Sequence, residues 1–167
     1  MAIIDTLLAE LEQEAKTTAR VLERVPAAQL AWKPHPKSYS LGQLALHVAT
    51  VPGNVAALAA QDTPAPPGFA QRAAESVDEL LPALDATVKR ARESLGHFDD
   101  AKMTATWRLV AGGREIMAMP RVAFVRAIML NHWYHHRGQL LVYLRLLDVP
   151  VPSVYGPTAD ENPFAGG

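Results

Sequence analysis

Cysteine is absent from the 167-residue sequence, which excludes disulfides, thiolate metal ligands and a cysteine nucleophile together. The absence fits a cytoplasmic location. Neither sign of charge dominates: 16 Lys and Arg stand against 17 Asp and Glu, for a net charge of -1. The two signs are interspersed and no basic block occurs, so an electrostatic footprint for nucleic acid is missing. Also missing is a run of about 18 uncharged apolar residues, so no membrane-spanning helix is expected. Met1 to Asp5 lacks the basic start and apolar run of a secretory signal. What remains, 49% apolar and 20% charged residues, is the composition of a folded chain, and the length suits one domain spanning 1–167.

Helical spacing dominates the pattern. Ile4, Leu7, Leu8, Leu11, Ala15, Thr18 and Leu22 predict a helix over about 3–24, stopped before Pro26. Ser40 and Gln43 form a capping box that opens a second helix, about 40–60. Pro52 inside it removes the hydrogen bond to the Val48 carbonyl, which predicts a bend or an early stop just past His47. A proline-rich linker follows, then a third helix over about 76–96. Between about 103 and 119 two strand-like runs flank Gly112-Gly113 and read as a short β-hairpin with Trp107 as its anchor. Pro120 suits the first turn of a fourth helix, about 120–147, and 149–167 is a proline-fixed tail. Four amphipathic helices with two long connections predict an all-α, four-helix bundle with a short hairpin before the last helix.

The most chemically loaded stretch is Asn131-His132-Trp133-Tyr134-His135-His136-Arg137-Gly138-Gln139-Leu140. His132 and His136 are four residues apart and stand on one helical face, a metal-ligand spacing. Phe124, Val125, Ile128, Leu140, Tyr143 and Leu147 extend the same stripe, so both rings are expected to point into the core. Arg126, Arg137 and Arg145 fall on another face. His47 lies within the apolar stripe of the second helix and is expected to face the core as well. A buried imidazole is satisfied by hydrogen bonds or by a metal ion, and spacing alone leaves both open. Trp133, rather than Glu, follows His132, so the zinc-protease general base is not present.

Taken together, Trp32 through Ser40 with His47 in Leu44-Ala45-Leu46-His47-Val48-Ala49, His132 through Leu140, and Val154-Tyr155-Gly156-Pro157-Thr158-Ala159-Asp160-Glu161 resemble the DinB-like metal-binding superfamily of up-and-down four-helix bundles. The resemblance implies one divalent metal held by His47, His132 and His136, whereas His35, His97 and His135 do not match ligand positions. Nickel, zinc and iron(II) all accept imidazole. Family members often pair as homodimers. The resemblance further implies a metal-dependent transferase that joins a low-molecular-weight thiol such as bacillithiol or mycothiol to an electrophile. Arg137 or Lys37 would bind a carboxylate of that thiol, and Tyr155 or His135 would act in proton transfer or orient a ligand. The plainer readings are exposed charge for the two cations, packing for Tyr155 and solvent for His135. A metal-hydroxide hydrolase and a non-catalytic metal-binding stress-response module are the alternatives.

Overall fold

The structure, a computed structural model, describes residues 2–68 and 70–165. Helix α1 spans Ile3–Leu22 and buries Ile4, Leu7, Leu8 and Leu11. Helix α2 spans Leu41–Ala60. Its start is the expected capping box: Ser40 Oγ accepts from the Gln43 amide (3.2 Å) and Gln43 Oε1 accepts from the Ser40 amide (2.9 Å). A 3-10 turn, Val77–Glu79, precedes α3, Leu80–Leu95, so the third helix begins about four residues later than its apolar pattern suggests. A five-residue helix, α4 (Asp100–Thr104), capped by Asp99, leads into strands β1 (Thr106–Ala111) and β2 (Arg114–Pro120). Within the bundle α2 lies against α3 on one side and the last helical segment, His132–Leu146, on the other, and α1 fills the remaining corner between those two.

The hairpin is antiparallel, with Trp107 opposite Met119 and a bulge between Leu109 and Val110. Gly112 and Gly113 both adopt positive φ (56° and 77°), the conformation a two-residue hairpin turn requires. Trp107 is fully buried, stacked on Phe124 with ring centroids 3.8 Å apart. Arg121, only 1% exposed, ties the hairpin exit to the end of α2. It donates to the Ala59 and Gln61 carbonyls and pairs with Asp62 (2.6 Å), satisfying carbonyls that a helix terminus leaves free.

Pro52 does not stop α2 early, one of the two outcomes expected from the sequence; the helix continues to Ala60. The carbonyl that Pro52 frees, that of Val48, accepts instead from the Trp133 indole N–H at 2.7 Å. One residue on, the Gly53 amide donates to Thr87 Oγ1 (2.8 Å), whose hydroxyl in turn donates to the Thr50 carbonyl (2.9 Å). Side chains of two neighbouring helices thus complete the interrupted ladder. A Cβ at position 53 would stand 2.5 Å from Thr87 Oγ1, so glycine is what lets α2 and α3 approach this closely. Trp133→Phe, which strands the Val48 carbonyl, should cost about 1–3 kcal/mol in urea unfolding. In a Pro52→Ala background, where the backbone again supplies a donor, the cost should shrink.

The fourth helix is not uniform either. It comprises α5 (Arg121–Phe124), a π-helical segment (Val125–Asn131) and α6 (His132–Leu146). Its buried positions are Arg121, Phe124, Val125, Met129, Leu130, Trp133, Arg137, Leu140 and Leu144, and Val125, Met129, Trp133 and Arg137 follow one another by steps of four through and beyond the wider π turns. A stripe extrapolated at 3.6 residues per turn therefore drifts off the core face. α2 is the one described helix long and apolar enough to cross a membrane by length and composition; 56% of its most apolar window is buried within the fold.

Candidate metal centre

Because of that drift, His132 and His136 are half-buried at the edge of the core rather than inside it, and His47 is likewise half-buried on α2. All three rings converge at the α2–α6 seam. Ring centroids lie 4.4 Å apart for His132 and His136, 4.5 Å for His47 and His136, and 5.4 Å for His47 and His132. One nitrogen from each ring lies within 4.8 Å of the others. His132 Nε2 and His136 Nε2 are 2.8 Å apart. These separations bracket the roughly 3.3 Å expected between imidazole nitrogens around a tetrahedral ion with bonds of about 2.0–2.1 Å.

Two rings are oriented from behind. Gln71 Oε1 accepts from His47 Nδ1 (2.9 Å), while the Gln71 amide nitrogen donates to the Arg72 carbonyl (3.0 Å), which fixes which end of the amide faces the ring. Gln139 Oε1 accepts from His136 Nδ1 at 2.8 Å. Protons held at these Nδ1 atoms leave the Nε2 lone pairs of His47 and His136 free, as a metal ligand requires. The trio also has an unmet need. His47 Nε2 is buried without a partner, and His132 Nδ1 has none of good geometry. If His132 carries its proton on Nδ1, two lone pairs meet at 2.8 Å; if on Nε2, Nδ1 is left an unpartnered acceptor. A shared cation removes the first conflict and gives His47 Nε2 a partner, so the residues present fit a divalent metal.

Burial holds all three histidines below the ordinary imidazole range. The fall is largest for His136, pushed down to about 4 by desolvation and by the neighbouring imidazoles against the opposing bond to Gln139. Desolvation also lowers His47, against the bond to Gln71. For His132, desolvation and then the charge of His47 act downward, with the Ile128 carbonyl working the other way. Neutral imidazoles are the ligand form. In metal-free protein the unfolded chain takes up protons near pH 6.5 while the folded rings resist, so their stabilising contribution is present above about pH 6.5 and lost as pH falls towards 4. Urea midpoints of chelator-treated protein should therefore drop between pH 7 and 4.5, and drop less in His136→Gln.

A cleft of about 490 Å³ opens on His47 and His132, walled by Tyr39, Val51, Asn54, Ile128 and Arg90 among others. The Tyr39 ring is 6.0 Å from that of His47. A larger groove of about 680 Å³ between α1 and α3 contains none of the histidines; charged side chains line it together with Ala15, Ala19, Leu84 and Val88.

Other residues singled out from the sequence lie elsewhere. His35, Lys37 and His97 are exposed, with His35 Nδ1 accepting from the Lys37 amide. His135 is exposed on the outer side of α6, its ring 5.0 Å from that of His136. Arg137, read as an exposed charge, is 1% exposed. It pairs with Glu14 on α1 (2.6 Å), donates to Thr18 Oγ1 (3.0 Å) and to the Tyr155 hydroxyl (2.6 Å), and lies against the rings of Tyr134 and Tyr155. Tyr155 in turn donates to Glu14 (2.9 Å). Arg137 and Tyr155 are thus joined to each other and to α1, not brought to the histidines. The end of the tail is held similarly: Asp160 accepts from the Val151 amide and pairs with Arg145, and Glu161 accepts from the Ser153 amide and pairs with Arg20.

The sequence profile of the DinB superfamily matches residues 10–140. An uncharacterized protein of Bacillus subtilis strain 168, YrdA, is 24% identical over 165 residues, covering 95% of this chain and 91% of its own. A DinB-like protein from Bacillus cereus ATCC 10987 has a crystal structure that superposes with a TM-score of 0.68, at 24% identity, over 91% of this chain and 97% of its own. The DinB-like protein YjoA of Bacillus subtilis superposes equally well, TM-score 0.68, at 16% identity over 94% and 99% of the two chains. With most of its length matched by the profile and its bundle shared with these structures, the chain belongs to the DinB superfamily.

Proposed function

We propose that His47, His132 and His136 hold one divalent metal ion and that the protein is a metal-dependent transferase of a low-molecular-weight thiol. The observation that supports this most is the convergence of three imidazoles whose outer nitrogens are held, in two cases, by Gln71 and Gln139. Three neutral ligands leave coordination positions for an incoming group, the arrangement of a reactive site and not of a sealed structural one. Bound there, the metal would supply a lowered pKa for a coordinated thiol, so that thiolate is present at neutral pH although the chain has no cysteine. The reaction is S-alkylation: an S–C bond forms, the bond from that carbon to its leaving group breaks, and the thiol proton passes to solvent through the open cleft.

The chain's own residues orient and shield. Gln71 and Gln139 fix the ring tautomers, Val51, Val55, Leu58 and Ile128 provide an apolar wall, and the Tyr39 ring stands tilted beside that of His47. Among the described residues lining the cleft none is Asp or Glu, so a hydrolytic reading lacks a carboxylate base beside the histidines. The test is turnover: metal-loaded protein is offered bacillithiol, mycothiol, glutathione and coenzyme A with model electrophiles. Conjugation that is lost after chelation and in His47→Ala supports the proposal. Metal binding without conjugation of any of the four would favour the non-catalytic metal-binding module.

A further inference from the structure

One stripe of α2 lines the cleft: His47, Val51, Asn54, Val55 and Leu58, spaced by three and four residues. Seven residues separate His47 from Asn54, so at 1.5 Å per residue Asn54 stands about 10 Å along the helix from the histidine. There Arg90 reaches across from α3 and donates from Nη1 to Asn54 Oδ1 at 3.1 Å. Among the described residues lining the cleft, Arg90 is the one Lys, Arg, Asp or Glu. Among the described residues it also has no carboxylate within ion-pair distance, whereas Arg72, Arg92, Arg121, Arg126 and Arg137 each have one. One bond to Asn54 leaves most of the guanidinium donors, and the Asn54 amide N–H groups, free for an anion.

We propose that Arg90 and Asn54 form a carboxylate subsite, so that the thiol taken up at the three histidines carries a carboxylate several bonds from its sulfur. This rests on the thiol reading above and narrows it. Three neutral imidazoles leave both charges of a divalent ion uncompensated, and Arg90 adds a third. A thiolate with a distant carboxylate offsets charge at both ends of the cleft while its chain lies along Val51 and Val55. A carboxylate adjacent to the sulfur cannot span the distance, and a neutral thiol has nothing for Arg90 to grip.

The test uses cobalt(II)-loaded full-length protein and reads the sulfur-to-cobalt charge-transfer band while 2-mercaptoethanol, mercaptoacetate and glutathione are titrated in turn. Arg90→Met should weaken glutathione binding by about tenfold while leaving the two short thiols unchanged and cobalt content at the wild-type level. Arg90→Lys should restore part of the loss, and added salt should weaken glutathione binding more in wild type than in Arg90→Met. Equal glutathione affinity in wild type and Arg90→Met, or equal weakening of all three thiols, overturns the subsite. No charge-transfer band with any thiol in wild type would instead overturn the thiol reading, and the subsite with it.

Discussion

Exchange of His136 for alanine is expected to abolish stoichiometric retention of a divalent metal by protein purified without a metal-affinity tag. His136 sits between the other two histidines: its ring is the nearest to both His132 and His47, and its Nε2 lies 2.8 Å from His132 Nε2. Without it, two imidazoles remain on separate helices, their ring centroids 5.4 Å apart, the widest separation of the three. Gln139→Leu and Gln71→Leu keep all three ligands but release the Nδ1 proton that fixes a ring, so each should weaken binding by about 10- to 100-fold. A graded series is therefore expected in elemental analysis and competition titrations, wild type above the glutamine variants and those above His136→Ala. Equal metal content in wild type and His136→Ala would remove His136 from the centre.

The second large effect concerns stability. Arg137→Met is expected to destabilise the fold by about 3–5 kcal/mol, because it strands the Glu14 carboxylate in a place where the two side chains are 2% and 14% exposed. The same change releases Thr18 and Tyr155. Removing both charges with Glu14→Gln and Arg137→Met should cost less than the single arginine change, since no unpaired charge is then left buried. Denaturant midpoints give both quantities. Metal content at the wild-type level in the folded variant should accompany the loss, because Arg137 faces α1 and not the cleft.

The order of the four long helical segments, the capping box at Ser40, the hairpin turn at Gly112-Gly113 and the three converging histidines were all legible from local spacing and family likeness, whereas the short helix Asp100–Thr104 was not. The phase of the last helix was not. A π segment at Val125–Asn131 rotates the face that follows it, and nothing in a 3.6-residue period announces the change. Continuity through Pro52 depends on Trp133, 85 residues from Val48, and burial of Arg137 depends on Glu14, 123 residues away. Such partners exist only once the bundle has formed. Gln139 could have been found three residues beyond His136, on the same face. Gln71 lies in a stretch without helical or strand period, so no pattern marks it as the partner of His47.

Anomalous diffraction at the absorption edge of the metal, from crystals of protein reconstituted with one divalent ion, tests the central claim most directly. A single strong peak at about 2.0–2.2 Å from a ring nitrogen of His47, His132 and His136 alike is the expected result. A peak elsewhere, or one bonded to His132 and His136 but beyond bonding distance of His47, would contradict the three-histidine centre.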